Sequence, residues 1–253
     1  EPNHTAERYY VGTTALQSKD SWQLNGVKSI VSNAPHSGLL VLTARIKGRK
    51  HDSDGIGLFV VDKNVRGVHC DDYLTIDGRR ASELTLNEVE VERGALLTVD
   101  AGQLDTLLDR ACFAVCAEAV GAMSALISMT IDYCQQRKQF GQSIGSFQAL
   151  QHRMVDMYIA SELSHSLLIA TTNAIANASD DRHRLLAALK FRVDRSAREI
   201  SYGAIQMHGG IAMTDEFKVG HYFKRLTVIA KQFGNANFQL ERYRHYNVHN
   251  NHS

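Results

Sequence analysis

The chain has 253 residues, 44% hydrophobic and 22% charged, with 28 Lys and Arg against 27 Asp and Glu and a formal charge of +1. That length supports one large or two ordinary domains with a real core, in an ordinary globular composition. Near-neutral charge argues against a nucleic-acid or membrane partner, and no apolar run or leader pattern reads as a span or signal, so a cytoplasmic protein is expected.

From Thr13 to Val91 the sequence runs in short β-type segments. TTALQ leads to WQLNGVKSIVS, where Asn25-Gly26 between alternating runs predicts a hairpin turn. GLLVLTARI, GIGLFVVD and SELTLNEVEVE follow, separated by KGRKHDSD and DGRRAS. Strand after strand without a helix predicts an antiparallel β-sandwich or barrel over residues 1–99. After Asp100-Ala101-Gly102 the period changes. Leu104, Leu108, Ala111, Val115, Ala119, Ala122, Leu126, Thr130 and Tyr133 recur at three- and four-residue steps, predicting a long amphipathic helix that stops near QFGQSIG. Ser146 is the expected N-cap of a second helix through Phe147, Leu150, Met154, Met157, Ile159 and Leu163. A third is expected from about Asp181 to Met207, closed by His208-Gly209-Gly210 with a positive-φ glycine cap. A shorter helix spans about Asp215 to Ala230, and another follows Gly234. Residues 100–253 therefore read as an antiparallel four-helix-type bundle, and the chain as α+β. No proline follows Pro35, which suits long helices.

Of the four cysteines, Cys112, Cys116 and Cys134 fall in one helical stretch and, with Cys70, read as reduced. Cys112 and Cys116 have a spacing a metal could use, but no second Cys or His pair is near, and no metal is expected. His245, His249 and His252 in RHYNVHNNHS read as a solvated terminus.

Two segments carry more than fold. RKQFGQSIGSFQALQHRM is a helix end with two cations, a glycine turn and a new helix. Arg137 and Lys138 there offset the helix dipole, or hold a phosphate-bearing cofactor. AIQMHGGIAMTDEF has a Gly-Gly pair, where capping explains one glycine and close approach of a backbone or ligand explains two. Neither GxGxxG nor a Walker A sequence is present.

These segments resemble the signatures of one family. Arg137-Lys138-Gln139-Phe140-Gly141-Gln142 with Ser146-Phe147-Gln148 resembles the R-x-x-F-G-x…x-F-Q signature of acyl-CoA dehydrogenases. Gln206-Met207-His208-Gly209-Gly210, with Thr214-Asp215-Glu216, resembles that family's Q-x-x-G-G-x-G-x-T-E-E. Lys28-Ser29-Ile30-Val31-Ser32-Asn33 resembles K-x-W-I-T-N, and Gly78-Arg79-Arg80-Ala81-Ser82 resembles G-x-R-x-S. The resemblance covers the β-domain and the C-terminal helical domain. It implies an FAD enzyme, usually tetrameric, that oxidises an acyl-CoA thioester to the trans-2-enoyl-CoA and passes electrons to an electron-transferring flavoprotein. It also implies that Ser32 lies beside flavin N5. Arg137, Phe140, Gln206, Gly209 and Gly210 would reach the adenosine-diphosphate part of a neighbouring subunit's FAD, and Asn235 would be a further cofactor contact.

The pattern is broken in three places. The catalytic glutamate normally comes from a Y-E-G-T segment, matched here by Gln232-Phe233-Gly234-Asn235, or from a first-helix position matched by Ala111. Neither Phe233 nor Ala111 can take the α-proton of a thioester. Asp109, Glu118 and Asp215 read as surface or capping residues. Glu1-Pro2-Asn3-His4-Thr5-Ala6-Glu7 stands where the family has T-E-P-G-x-G-S-D, and Ile30 replaces its flavin-stacking tryptophan. The family's preceding helical domain is expected to be absent from this chain. Some bacterial members that act on steroid side chains or dicarboxylic acyl chains are heteromeric, and F-G-N-A-N resembles their subunits. The first expectation is therefore a subunit whose paralogous partner supplies the glutamate. A homo-oligomer with an unconventional base and a catalytically inactive scaffold are the alternatives.

Overall fold

The computed structural model describes residues 1–2, 7–97 and 99–250. The residues Asn3 to Ala6 of the altered glycine loop, and His252 of the tail, lie outside the described residues, as does the side chain of His249. The chain forms two compact units, Glu1–Leu108 and Asp109–Ser253.

The first unit is a seven-stranded sheet of β1 (Thr14–Gln17), β2 (Ser21–Ser32), β3 (Leu39–Arg45), β4 (Ile56–Asp62), β5 (Val68–Leu74), β6 (Arg80–Glu92) and β7 (Leu96–Leu97). The order is β5-β6-β2-β1-β3-β4-β7. Every pairing is antiparallel except the single parallel bridge of Thr14 with Arg45. Alternating residues of β2 and β6 (Trp22, Leu24, Leu84, Leu86) meet those of β3 and β4 (Leu40, Leu42, Phe59, Val61) in one core. The Trp22 and Phe59 rings pack edge-on at 5.5 Å.

Asn25-Gly26 is not the predicted turn. β2 runs straight through it, and the β1–β2 turn is at Ser18–Ser21. The pair forms a β-bulge against β6, where register slips between Leu24 and Gly26. Asn25 Oδ1 accepts the amide of Glu88 at 2.8 Å. A Cβ on Gly26 would lie 2.7 Å from Thr13 Cα, so this glycine admits a neighbouring backbone rather than a reversal.

Lys28 is buried. Its Nζ bonds the Glu1 carboxylate and Thr43 Oγ1 (3.1 Å), and Glu1 Oε1 also accepts from the Thr13 amide at 3.2 Å. Burial works to raise the Glu1 carboxyl, but Lys28 and the Thr13 amide outweigh it and hold the group below its ordinary value.

The second unit is helical. Helix α1 spans Ala101–Gln136, its first turns belonging to the first unit, and a small hairpin of β8 (Lys138–Gln139) and β9 (Gln142–Ser143) follows. Then come α2 (Gln148–Ala176), α3 (Arg182–His208), α4 (Lys218–Ile229) and α5 (Ala236–Asn250). By length and hydropathy alone α1 would pass as a membrane span, contrary to the sequence expectation. Its apolar face instead builds the bundle core: Cys112, Cys116, Ala119, Met123, Leu126 and Cys134 pack with Leu186, Leu189, Val193 and Ile200 of α3. All four cysteines are free; three are sealed in this core, and Cys70 is half-buried on β5.

Ser146 does not cap α2. It ends a short 3₁₀ turn and its Oγ donates to Ser143 O at 2.7 Å, while Phe147 occupies the cap without a side-chain bond. His245 is exposed, as expected of a solvated terminus. The chain up to Asn250 is nevertheless helical, and α5 meets α3 through Tyr246 stacked on His183 at 5.8 Å and Arg184 over the Tyr243 ring at 6.0 Å.

Candidate functional site

The end of α1 and the end of α3 meet. Tyr133 stacks on His208 at 4.3 Å and 26°, and Cys134 Sγ lies 4.0 Å from Met207 Sδ. This contact brings the Arg137–Ser143 hairpin and the Gly209–Gly210 turn to one end of the bundle. The two sequence motifs are thus neighbours in space.

The hairpin projects its residues outward. Phe140 and Gly141 form its turn at φ 53° and 81°, and Phe140 is 92% exposed. Its ring meets only the edge of Phe147 among the described residues, at 6.2 Å. Arg137 and Lys138 are exposed and make no ion pair among the described residues. On the other side Gln206 is exposed, and the Gly209 amide closes α3 on Ile205 O at φ 66°. A Cβ at Gly209 or Gly210 would meet nothing within 4 Å, so these glycines border open space.

His208 supports this end from beneath. Its Nδ1 donates to Ala204 O at 2.9 Å, and its Nε2 is buried without a partner among the described residues. Burial holds the imidazole below its ordinary pKa, so the neutral ring sits between Tyr133 and Phe217.

In the first unit, Ser32 ends β2 and is exposed. Just before it, register slips between Lys28 and Val31, and Ile30 stands 57% exposed at φ 55°. A β-branched residue in the left-handed region is a strained outlier. Its amide donates to Glu83 Oε1 at 3.3 Å.

The positions that match the family's glutamate are acid-free. Ala111 is half-buried on α1; Phe233, at φ 56°, packs on the bundle core. The Phe233 carbonyl accepts from Gln239 Nε2 at 2.6 Å, and the Gly234 carbonyl from Lys190 Nζ at 3.2 Å. Asn235 caps α5, its Oδ1 accepting the Phe238 amide at 3.1 Å.

Asp109 is neither a surface nor a capping residue. It is buried between His183 Nδ1 (2.7 Å) and Arg242 (3.2 Å), tying α1 to α3 and α5. Glu118 takes a two-pronged bond from Arg225 at 2.7 Å, and Asp215 is exposed beside Lys224 at 3.4 Å. The sequence reading also missed Lys190 and Asp194. Their only local signal is a Lys–Asp pair four apart inside an apolar helix face.

The fold and the two motif-bearing turns are those of an acyl-CoA dehydrogenase-type chain. Residues 102–244 match the family model for the acyl-CoA dehydrogenase C-terminal domain, and residues 1–89 that for the middle domain. The chain belongs to the acyl-CoA dehydrogenase family. Members of this family are FAD-dependent oxidoreductases acting on CH–CH groups.

The chain is 33% identical over 171 residues to acyl-CoA dehydrogenase IpdE2 of Mycolicibacterium smegmatis, covering 68% of this chain and 52% of that protein. It is 27% identical over 245 residues to the 3-(aryl)acrylate reductase of Clostridium sporogenes, covering 94% and 64%. Among solved structures, the Tcur3481-Tcur3483 steroid ACAD G363A variant superposes with a TM-score of 0.84 at 28% identity, covering 97% of this chain and 64% of that one. The ChsE4-ChsE5 complex from Mycobacterium tuberculosis shares the fold with a TM-score of 0.84 at 22% identity, covering 98% and 64%. The chain thus spans between about half and two thirds of the relatives it matches.

The residues present fit the adenosine-diphosphate part of FAD. An outward-held aromatic ring suits a base face, a guanidinium with no ion pair among the described residues suits a pyrophosphate, and two open glycines leave room for close approach.

Proposed function

We propose that this chain is an FAD-dependent acyl-CoA dehydrogenase subunit, removing the α and β hydrogens of an acyl-CoA thioester, whose base comes from a paralogous partner chain. The observation that carries the reading is a pairing. The outward-facing Arg137, Phe140, Gly209 and Gly210 are in place, while Phe233 and Ala111 bring no acid. Bound flavin supplies the acceptor for the hydride that leaves Cβ. Arg137 would hold the pyrophosphate and Phe140 the adenine end of the FAD of a neighbouring subunit. Gln206 and the Gly209–Gly210 backbone line the same region. Ser32 would steady the flavin ring through its hydroxyl or amide.

The assembly is a homo- or heterotetramer in the cytoplasm, handing its electrons to an electron-transferring flavoprotein. A two-chain neighbour, the ChsE4-ChsE5 complex, supports division of labour between paralogues, and the steroid ACAD supports a lipid or steroid side chain as the acyl group.

The test is to express the chain alone and together with its genomic neighbour, then measure flavin absorbance and dye reduction with an acyl-CoA. Activity in the mixture alone is expected. Full activity of the chain alone would point to an unconventional base of its own, and absence of flavin from both preparations to a scaffold. Arg137→Ala is expected to lower FAD occupancy and loosen the oligomer together; unchanged occupancy and assembly would refute the role of that arginine.

A further inference from the structure

Lys190 lies on α3 in the middle of the bundle, with its side chain 0% exposed. An ammonium in a dry core must be paired or lose its proton. Its Nζ donates to Asp194 Oδ1 at 2.6 Å, one turn further along the helix, and to the Gly234 carbonyl at 3.2 Å. Gly234 belongs to the turn between α4 and α5, where Phe233 and Gly234 both take left-handed conformations, φ 56° and 87°. Consecutive residues of that kind are held by their surroundings rather than by local preference.

Two oxygens nearby are left over. Asp194 Oδ2 and Gln232 Oε1, the latter in the turn itself, are buried without hydrogen-bond partners among the described residues. A buried ion pair with an unsatisfied oxygen is a poor device for stability, since well-packed apolar side chains do as well or better. What it does provide is a fixed direction for the ammonium.

We propose that Lys190 is a positioning residue that fixes the Gln232–Asn235 turn through the Gly234 carbonyl, and that the charge on Asp194 sets how firmly it does so. The turn's place beside the reaction rests on the function proposed above; the clamp itself is a property of the bundle.

The charged and titratable groups around the pair come from three directions. Lys231 approaches from the turn, Cys112 and Cys116 from α1, and Arg242 of α5 and Asp109 of α1 lie beyond Cys112. Burial outweighs the attraction of Lys190 and Lys231, and the Asp194 carboxyl is pushed up to about 6. The folded chain therefore takes up this proton more readily than the unfolded chain. The stability it contributes is complete below the ordinary carboxylate pKa and is lost as pH rises through about 6. Over that window Lys190 passes from a neutral acid neighbour to a closed ion pair.

Hydrogen exchange on the whole chain, from about pH 5 to about pH 8 and corrected for intrinsic rates, tests the clamp. In the native sequence, protection of residues 232–239 is expected to change severalfold across that range while α2 stays constant. Asp194→Asn keeps an oxygen for Lys190 but cannot titrate, and should flatten the profile. Lys190→Met should speed exchange of residues 232–239 on the order of tenfold at every pH, and Lys190→Arg should restore part of the protection. Exchange in Lys190→Met as slow as in the native chain, or an Asp194→Asn profile that keeps its step, would overturn the proposal. If Lys190→Met does not fold, the native and Asp194→Asn profiles decide alone. Dye reduction with an acyl-CoA on the same samples is read separately, so a failure of the proposed reaction leaves the exchange result standing.

Discussion

Two places along α3 sit eighteen residues apart, about 27 Å at 1.5 Å per residue, and are built on opposite plans. At the His208 end, side chains are turned outward: Phe140, Arg137 and Gln206 face solvent beside two glycines with open space above them. At the level of Lys190 the polar groups turn inward, with Lys190, Asp194 and the Phe233 and Gly234 carbonyls bonded within the bundle. A surface that holds a cofactor is made by the backbone geometry of two turns, whereas a catalytic base is one side chain. One substitution removes the second and leaves the first intact. Under the proposed function, the contrast accounts for a chain that keeps its outward-facing end while Phe233 and Ala111 hold the positions matched to the glutamate.

If the inward region serves the fold and the outward end serves a ligand, substitutions should separate stability from flavin content. The largest expected loss of stability is from Asp109→Ala, which removes the buried carboxylate that ties His183 and Arg242 to α1 and should cost about 3 kcal/mol by urea unfolding. The chain that remains folded should keep its flavin; lost flavin in folded protein would break the division. Next is His208→Leu, read against pH. Burial lowers the imidazole pKa, so the unfolded chain binds that proton first as pH falls. The stability from a neutral His208 is complete above its ordinary value and is lost as pH falls through the folded one. The native urea midpoint should therefore drop more steeply in acid than that of His208→Leu, and parallel curves would remove His208 from the account. The smallest expected effect on stability is from Phe140→Ala, within about 0.5 kcal/mol of the native chain, because the ring is 92% exposed. Its flavin occupancy should nevertheless fall, and a large destabilisation with unchanged flavin would reverse the comparison.

The outward end was largely legible in the sequence, because each of its turns is specified by contiguous residues: Arg137 to Gln142, and Gln206 to Gly210. Most strands and the helices were legible for the same reason, through local periodicity; edge strand β5, VHCDDYL, and the two-residue strands β8 and β9 were not, because they bury no apolar face. What was hidden depends on partners distant in the chain. Asn25-Gly26 reads as a reversal until Thr13 is seen packed against the glycine. Asp109 reads as a surface acid until His183 and Arg242 arrive from two other helices. Lys190 and Asp194 are only a Lys–Asp pair four apart in the sequence, and their burial depends on the packing of α1, α3 and the α4–α5 turn. That α5 runs into the polar tail was hidden too, because its tie to α3, Tyr246 on His183, is an aromatic contact between distant residues.

The placement of the cysteines gives the molecule a built-in clock. Cys112, Cys116 and Cys134 are sealed in the helical core and can meet an alkylating reagent only when the bundle opens. Burial also keeps the Cys134 thiol protonated, and contact with Cys112 followed by burial does the same for Cys116. Half-buried Cys70 on β5 reports instead on the sheet. Labelling four thiols over time would thus record the breathing of each unit separately, with no probe added to the chain.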